Sequence, residues 1–206
     1  MTAPAHRAAS TPLTLSPQAQ DQLFRTARTA NTFTDEPVTD AQVAAIHELV
    51  KYGPTSLNQQ PLRVVLVRSA GARERLVAHM ASGNRAKTAT APLVAVLAAD
   101  LDFDEELPRL VPHLADPRRF FTDPTARAAS ARFNATLQIG YFIVGVRAAG
   151  LAAGPMSGFQ PEGVTREFFP DGRHQALLVV NIGRPGPDAW RERLPRLPYE
   201  DVVRTV

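Results

Sequence analysis

The chain has 206 residues, 44% of them hydrophobic, no cysteine and a formal net charge of +3. This length and composition suffice for one globular core, while the lack of cysteine excludes disulfides, thiolate nucleophiles and cysteine-ligated metals. The five histidines show no ligand spacing, so no metal site is predicted.

Residues 1–14 contain no apolar secretory segment, and their Ala, Thr and Pro content predicts a flexible N-terminal arm. We expect residues 15–206 to form a single domain in the cytoplasm. The basic residues are almost all arginine, but no basic run alternates with aromatic residues, so no nucleic-acid partner is expected. No membrane partner is expected either, because the uncharged segment 133–146 is shorter than the roughly 20 apolar residues of a membrane span.

Two helices are predicted at the start of the domain. Ser16 followed by Pro17 is typical of a helix start, and apolar residues at helical spacing extend this helix to about Ala30. Thr39 and Gln42 form a capping box that begins the second helix, which ends near Gly53. In chain order, the remaining predicted elements are a buried strand at 62–67, a helix at 71–80, a buried strand at 93–98, short helical pieces forming a cover at 100–124, a buried central helix at 133–146 capped by Gly150, a turn at 154–159, a short helix ending near Phe169 and a strand at 176–182.

The tail from Arg184 onward is rich in proline and arginine and carries little apolar pattern of its own. Trp190, Leu194, Leu197 and Val202 nevertheless argue that this tail packs against another surface. A second copy of the chain is the obvious surface. We therefore predict a homodimer in which the C-terminal extension wraps over the partner.

A loop of hydroxyl and amide side chains at residues 53–61, Gly-Pro-Thr-Ser-Leu-Asn-Gln-Gln-Pro, separates the second helix from the first strand. Two prolines stiffen it, and its short polar groups suit the edge of a planar ring, although plain turn chemistry is the alternative. Asn84 with Lys87, and Arg191 with Arg193, strengthen the functional interpretation, since arginine presents a fixed fork to phosphate. Together these residues predict a site for a phosphorylated planar cofactor.

Four separated blocks carry a resemblance to a known family: residues 51–58 (KYGPTSLN), 82–88 (SGNRAKT), 154–159 (GPMSGF) and 193–197 (RLPRL). With them, the chain resembles the FMN-dependent nitroreductase family over nearly its whole length, and more closely its malonic semialdehyde reductase branch. The resemblance implies an α+β fold with three α-β-α layers and a mainly antiparallel sheet around a buried central helix. It also implies a homodimer that exchanges the C-terminal extension, FMN as cofactor and NAD(P)H as co-substrate.

The resemblance further implies which residues bind the flavin. Segment 27–33 corresponds to the family's Arg-Arg-Ser-x-Arg-x-Phe signature and would place Arg28, Thr29 and Asn31 at the flavin, although Ala27 and Asn31 stand where the family has arginines. The other implied FMN-binding residues are Pro54, Thr55, Ser56 and Asn58 from the partner subunit, Asn84 and Lys87 at the ring and ribityl chain, Pro155, Met156, Ser157 and Gly158 at the N5 edge, and Arg191 and Arg193 at the phosphate.

The implied mechanism needs no catalytic side chain, because hydride passes from NAD(P)H to a small-molecule acceptor through flavin N5 in a ping-pong cycle. The branch implies reduction of malonic semialdehyde to 3-hydroxypropionate. Arg118 and Arg119, with Phe120 beside them in the proline-rich cover, are the candidate residues for the substrate carboxylate. Three alternatives stay open: a general nitroaromatic or quinone reductase, a flavin-binding protein without physiological turnover, and a dimeric scaffold that has lost its site.

Overall fold

A computed structural model describes residues 13–206 of the chain. The predicted N-terminal arm therefore lies outside the described residues except for Leu13 and Thr14, which are exposed. One four-stranded antiparallel sheet with the order β1-β2-β4-β3 forms the centre of the described part. Its strands are β1 (Leu62–Val67), β2 (Leu93–Asp100), β3 (Ala152–Met156) and β4 (His174–Gly183).

Helices of very different length surround the sheet. The longest crosses one sheet face over 25 residues, whereas the three shortest have four residues each. The helices are α1 (Pro17–Gln20), continued by a π-helical turn at Asp21–Arg25, α2 (Asp40–Val50), α3 (Ala70–His79), α4 (Ser82–Thr90), α5 (Leu107–Leu110), α6 (Pro124–Ala148), α7 (Pro161–Phe168) and α8 (Tyr199–Val202), with 3-10 turns at Ser56–Asn58, Phe103–Glu106 and Pro117–Phe121.

Apolar residues on both faces of the sheet create three layers. Strand β2 is buried at every position, in keeping with its apolar run from Leu93 to Ala99. Its last residue, Asp100, is buried as an ion pair with Arg63 and Arg173. Helices α2 and α6 pack on one face around Ile46, Leu97 and Phe142. Helices α3 and α7 pack on the other around Leu76 and Val164. The predicted α+β fold with α-β-α layers and an antiparallel sheet is confirmed.

Helices α2 and α6 approach closely at Gly145. A β-carbon at this glycine would collide with the side chain of Val50, so only glycine allows the two helices this contact. At the end of α6, Gly150 has a φ of +73° and its N–H donates to the Arg147 carbonyl at 2.9 Å. This is the glycine cap that the sequence predicts.

Several predicted bounds were wrong near the termini of helices. The first helix ends at Arg25 rather than Ala30, because the Ala30 N–H donates to the Ala153 carbonyl at 3.1 Å and the chain runs beside β3. Helix α6 begins at Pro124, where the Asp123 side chain caps it, rather than at Phe133. Helix α4 was not predicted, and β3 replaces the first residues of the predicted turn at 154–159.

The central helix is also less buried than predicted. Phe133, Leu137 and Tyr141 lie one turn apart on α6 and are 65%, 41% and 44% exposed in the single chain. The opposite side of α6 is buried through Ala135, Ile139 and similar residues. Helix α6 therefore has one face in the core and one apolar face, the α6 apolar stripe (Phe133, Leu137 and Tyr141), that this chain leaves uncovered.

Candidate functional site: a basic cavity and a polar loop

A cavity of about 470 Å³ lies where the segment after the first helix meets α4, the end of α6 and the C-terminal segment. We call it the basic cavity, because six of its eleven lining residues are arginine or lysine. The lining residues are Ala27, Arg28, Thr29, Asn31, Lys87, Arg147, Arg191, Glu192, Arg193, Leu194 and Arg196.

One backbone hydrogen bond and two from arginine side chains hold two distant segments together to form this cavity. The Asn31 N–H donates to the Ala189 carbonyl at 3.0 Å. The Arg28 guanidinium donates to the Arg191 carbonyl at 2.9 Å, and Arg193 donates in return to the Ala27 carbonyl at 2.9 Å. The start of the C-terminal tail is therefore bonded to its own chain, and this pairing brings Arg28, Thr29, Asn31, Arg191 and Arg193 to one place.

The charges of the basic cavity are not balanced within the chain. Across residues 13–206, none of its six basic side chains forms an ion pair, and Glu192 is the only acidic residue in the lining. Burial and the charge of Arg191 lower the pKa of Lys87, and burial and the charge of Arg193 lower the pKa of Arg147. Because crowded cations are stabilised by an anion, this donor set fits a phosphate group.

Helix α4 carries the second predicted group, Asn84 and Lys87, three residues apart and thus on the same face. The Asn84 side-chain amide donates to the Gly158 carbonyl at 2.9 Å. A β-carbon on Gly158 would stand only 2.6 Å from the Asn84 nitrogen, so glycine is required for this approach. Asn84 therefore holds the turn after β3 against α4.

The four residues of that turn differ in what they offer a ligand. Met156 is buried, with its sulfur 3.9 Å from the Thr88 hydroxyl, so its side chain belongs to the core. Pro155 is half-buried in β3, and Ser157 is exposed. Ser157 is thus the only one of the four with an exposed side chain, and none of the four lines the basic cavity.

Lys87 connects the basic cavity with a second cavity of about 450 Å³ along α4. Asn31 and Arg191 line both cavities as well, so the two are neighbours along a continuous surface. The second cavity is lined by Asn31, Thr32, Gly83, Ala86, Lys87, Thr90, Asp188 and Arg191. An elongated ligand with a phosphate at one end fits this arrangement.

The polar loop at residues 53–61 is strained and firmly supported. Leu57 and Asn58 have φ angles of 51° and 49°, which are uncommon for residues other than glycine and are typical of functional segments. The Ser56 N–H donates to the side-chain oxygen of Asn134 on α6 at 2.8 Å. The Asn58 side chain donates to the Leu110 carbonyl at 2.9 Å.

Sequence reasoning missed the residues that hold this loop. Gln59 is fully buried and exchanges hydrogen bonds of 3.0 and 3.1 Å with the Ser130 hydroxyl. Asn134 also donates to the Ser130 carbonyl at 2.9 Å. The available signal was the pair Ser130 and Asn134, two polar residues one helical turn apart on the same face of α6.

The structure does not bring the loop to the basic cavity within one chain. Neither Pro54 nor Thr55, Ser56 or Asn58 lines either cavity. The loop is attached to α6 at Asn134, whereas the cavity meets α6 at Arg147, and thirteen residues of helix span about 20 Å. The predicted residues therefore form two groups, one beside the middle of α6 at Asn134 and the other at its C-terminal end at Arg147.

The proposed substrate residues in the cover are not equivalent. Arg118 pairs with the buried carboxylate of Asp104 at 3.0 Å, so its charge is already balanced. Arg119 has its guanidinium carbon 4.9 Å from the centre of the exposed Phe120 ring and forms no ion pair within the described part of the chain. Arg119 is thus the one of the two arginines whose charge remains available.

Two basic residues of the cavity, Arg147 and Arg196, were also missed. Arg147 follows the apolar segment that predicted the central helix, and nothing in its local sequence points to a site 120 residues from Ala27. Between residues 13 and 206, no three His, Asp or Glu side chains gather as metal ligands. No helix in the same part combines the length and hydropathy needed to cross a membrane.

Comparison with known proteins shows which family this chain belongs to. The model of the Nitroreductase family matches residues 24–184. A protein of Streptomyces coelicolor named "Putative NADH dehydrogenase/NAD(P)H nitroreductase" is 67% identical over 195 residues, which cover 94% of this chain and 99% of that protein. A relative with the same name from Leptothrix cholodnii is 45% identical and covers 88% of this chain and 93% of its own length.

A solved structure shares the fold at much lower sequence identity. It is described as a "putative NAD(P)H:FMN oxidoreductase" from Staphylococcus epidermidis, with a TM-score of 0.80 and 18% identity over 95% of this chain and 99% of that one. At this identity, the similarity concerns the arrangement of helices and strands.

Proposed function

The chain belongs to the nitroreductase family of NAD(P)H-dependent oxidoreductases, and we propose that the basic cavity binds the phosphate of its FMN cofactor. The observation that carries this proposal is the set of six basic side chains without a carboxylate partner in the described residues. Arginine forks suit a phosphate dianion, and Arg191 and Arg193 come from the segment that the sequence assigned to this role.

The cavity along α4 offers room for the rest of the cofactor. Lys87 and Asn31 line both cavities, and the turn at Ser157 and Gly158 lies against Asn84 at the start of the same helix. In this proposal, Lys87 places a positive charge beside the part of the ring that gains negative charge. When bound, FMN supplies hydride transfer between NAD(P)H and an acceptor.

The polar loop is proposed to reach the cofactor of a second copy of the chain. It lies about 20 Å along α6 from the basic cavity. Three side chains of its own chain, Gln59, Ser130 and Asn134, support its conformation. The exposed α6 apolar stripe gives a surface for such a dimer. The exposed tail residues Leu194 and Leu197 would cover part of the partner.

The acceptor is proposed to be malonic semialdehyde, which would leave as 3-hydroxypropionate. The support is the sequence resemblance together with the unpaired Arg119, which could meet the substrate carboxylate. A nitroaromatic or quinone acceptor is the second candidate, favoured by the names of the relatives. Because NAD(P)H is supplied inside the cell, the proposal also places the protein in the cytoplasm.

A spectrum of the purified protein loaded with FMN, followed by anaerobic NADPH, tests the proposed activity. We expect an oxidised flavin spectrum that bleaches within seconds and recovers when malonic semialdehyde or a nitroaromatic compound is added. Slow bleaching would favour a flavin-binding protein without turnover. Failure to retain any FMN would favour a scaffold whose changes at Ala27 and Asn31 have removed the site.

The choice of acceptor has its own test. An Arg119→Gln variant should raise the KM for malonic semialdehyde about tenfold or more while leaving the KM for an uncharged nitroaromatic acceptor unchanged, because one charged hydrogen bond contributes about 1.5–3 kcal/mol. An Arg166→Gln variant, at an exposed position of helix α7, is the matched control. Equal KM values for wild type and Arg119→Gln would remove Arg119 from the substrate site.

A further inference from the structure

We propose that Arg147, in the last turn of α6, is a phosphate-binding residue of the basic cavity. This inference rests on the proposed binding of FMN phosphate there, and it adds a ligand from a part of the chain that carries none of the predicted cofactor residues. Arg147 would supply beside Ala27 the positive charge that the alanine does not provide.

The position of Arg147 supports this role. Its side chain lines the basic cavity together with Ala27, Arg28 and Arg193. The same side chain, with Ala27, also lines an adjoining cavity of about 200 Å³ that reaches Trp190. The short side chain of Ala27 therefore leaves space beside the guanidinium of Arg147, and both cavities open onto it.

The hydrogen bonds of Arg147 leave most of its donors unused. One terminal nitrogen donates to the Leu23 carbonyl at 3.1 Å, which ties the first helix to the end of α6. The Nε atom is buried and has no hydrogen-bond partner among residues 13–206, so it faces protein atoms rather than the cavity. The second terminal nitrogen forms no hydrogen bond within the same residues and is not enclosed. It is the donor that a phosphate in the cavity would satisfy, and a charged hydrogen bond of this kind contributes about 1.5–3 kcal/mol.

The electrostatic setting of Arg147 does not fit a purely structural role. A side chain that only ties α6 to Leu23 needs one donor, and a glutamine or lysine could provide it. Instead an arginine is half-buried near Arg193, without a carboxylate partner in the described residues. Burial and the charge of Arg193 disfavour its charged form, so the chain holds two unbalanced cations together where an anion would offset their repulsion.

Flavin binding to the apoprotein, with and without the phosphate, gives a direct test. An Arg147→Gln variant should bind FMN about 10- to 100-fold more weakly, because it loses a charged hydrogen bond, while its affinity for riboflavin stays at the wild-type value. An Arg132→Gln variant is the matched control, since Arg132 lies on the same helix and bonds Gln175. We expect this control to match the wild type for both ligands.

A second variant separates a lost ligand from a loosened fold. Placing arginine next to the vacated site, in the double variant Ala27→Arg with Arg147→Gln, should restore FMN affinity to within a few fold of wild type. Restoration supports the proposal, because the change at residue 27 returns a positive charge to the cavity and leaves the contact between residue 147 and Leu23 as it is in Arg147→Gln. Unchanged FMN affinity in Arg147→Gln, or an equal loss of FMN and riboflavin binding, would overturn it.

Failure of the broader flavin proposal would look different. Wild-type protein that binds neither FMN nor riboflavin would contradict the proposed function, and inorganic phosphate then tests Arg147 alone. Phosphate should raise the melting temperature of the wild type and of Arg132→Gln, but not that of Arg147→Gln. Equal stabilisation of all three proteins would overturn the role of Arg147 without any reference to flavin.

Discussion

Two parts of helix α6 differ in how their polar groups are satisfied: the N-terminal half beside the loop at 53–61, here called the loop end, and the last turn at Arg147, here called the basic end. At its N-terminal half, Ser130 and Asn134 satisfy the polar groups of the loop at 53–61, and each hydrogen bond has its partner within the chain. At its C-terminal end, Arg147 joins five other basic side chains that have no carboxylate partner among the described residues. A complete hydrogen-bond network supports a structure, whereas unbalanced charge marks a place where a ligand binds.

Loss of two arginines from the basic end should reduce FMN affinity more than any other change proposed here. An Arg191→Gln and Arg193→Gln double variant should weaken FMN binding by about 100-fold or more, because each lost charged hydrogen bond contributes about 1.5–3 kcal/mol. Isothermal titration of the apoprotein measures this change. Riboflavin affinity and the melting temperature, recorded on the same protein, show whether the loss of the Arg193 bonds to Arg25 and Ala27 has disturbed the fold.

The loop end should respond in stability rather than in phosphate binding. An Asn134→Ala variant leaves the Ser56 N–H without its acceptor and should lower the free energy of unfolding by about 1–3 kcal/mol. For a domain of this size, each kcal/mol corresponds to about 2–4 °C in melting temperature. A variant that lost phosphate binding while keeping its stability would reverse the assignment of the two ends. Thr136→Ala on the exposed side of α6 is the control.

A dimer formed through the α6 apolar stripe would bring the loop of one copy to the cofactor of the other. A Leu137→Glu variant places a charge in the middle of the α6 apolar stripe and should shift a dimer to monomer in sedimentation experiments at micromolar concentration. An Arg166→Gln variant, at an exposed position of helix α7, should sediment as the wild type does. A wild-type protein that sediments as a monomer would contradict the dimer and leave the loop without a cofactor to reach.

The smallest effect concerns pH at the basic end. Burial and the charge of Arg191 lower the pKa of Lys87, so the folded chain loses this proton more readily than an unfolded one. The charge of Lys87 is present below that lowered pKa, and FMN affinity should fall as the pH rises through it. A Lys87→Met variant should bind more weakly at neutral pH and show no such fall. Titrations between pH 7 and pH 10 measure both.

Sequence alone predicted the elements whose signals are local or continuous. The bounds of β1 were predicted correctly, because its apolar residues lie between Pro61 and Arg68. Its predicted burial was wrong, since β1 is an edge strand in which only Val67 is fully buried. The capping box of α2 was predicted because Thr39 and Gln42 satisfy each other's backbone, whatever the surroundings. Such signals depend on a few neighbouring residues and need no knowledge of the fold.

Elements defined by distant contacts escaped prediction. Helix α4 has few apolar residues and is fixed by the turn at Gly158, which binds Asn84 from 74 residues away. The α6 apolar stripe has the same sequence signal as a core face, because Phe, Leu and Tyr are hydrophobic residue types whether this chain buries or exposes them. Arg147 was missed for the related reason that only the folded chain places it beside Ala27.

The affinities of the wild-type apoprotein for FMN and for riboflavin, measured side by side, test whether the basic cavity binds the FMN phosphate. The two ligands share the ring and the ribityl chain and differ only in the phosphate, so their ratio reports on the basic cavity alone. We expect FMN to bind at least about 100-fold more tightly than riboflavin, and this difference in affinity to shrink as the salt concentration is raised. Equal affinities would contradict this prediction, because the arginines of the basic cavity would then not bind a phosphate.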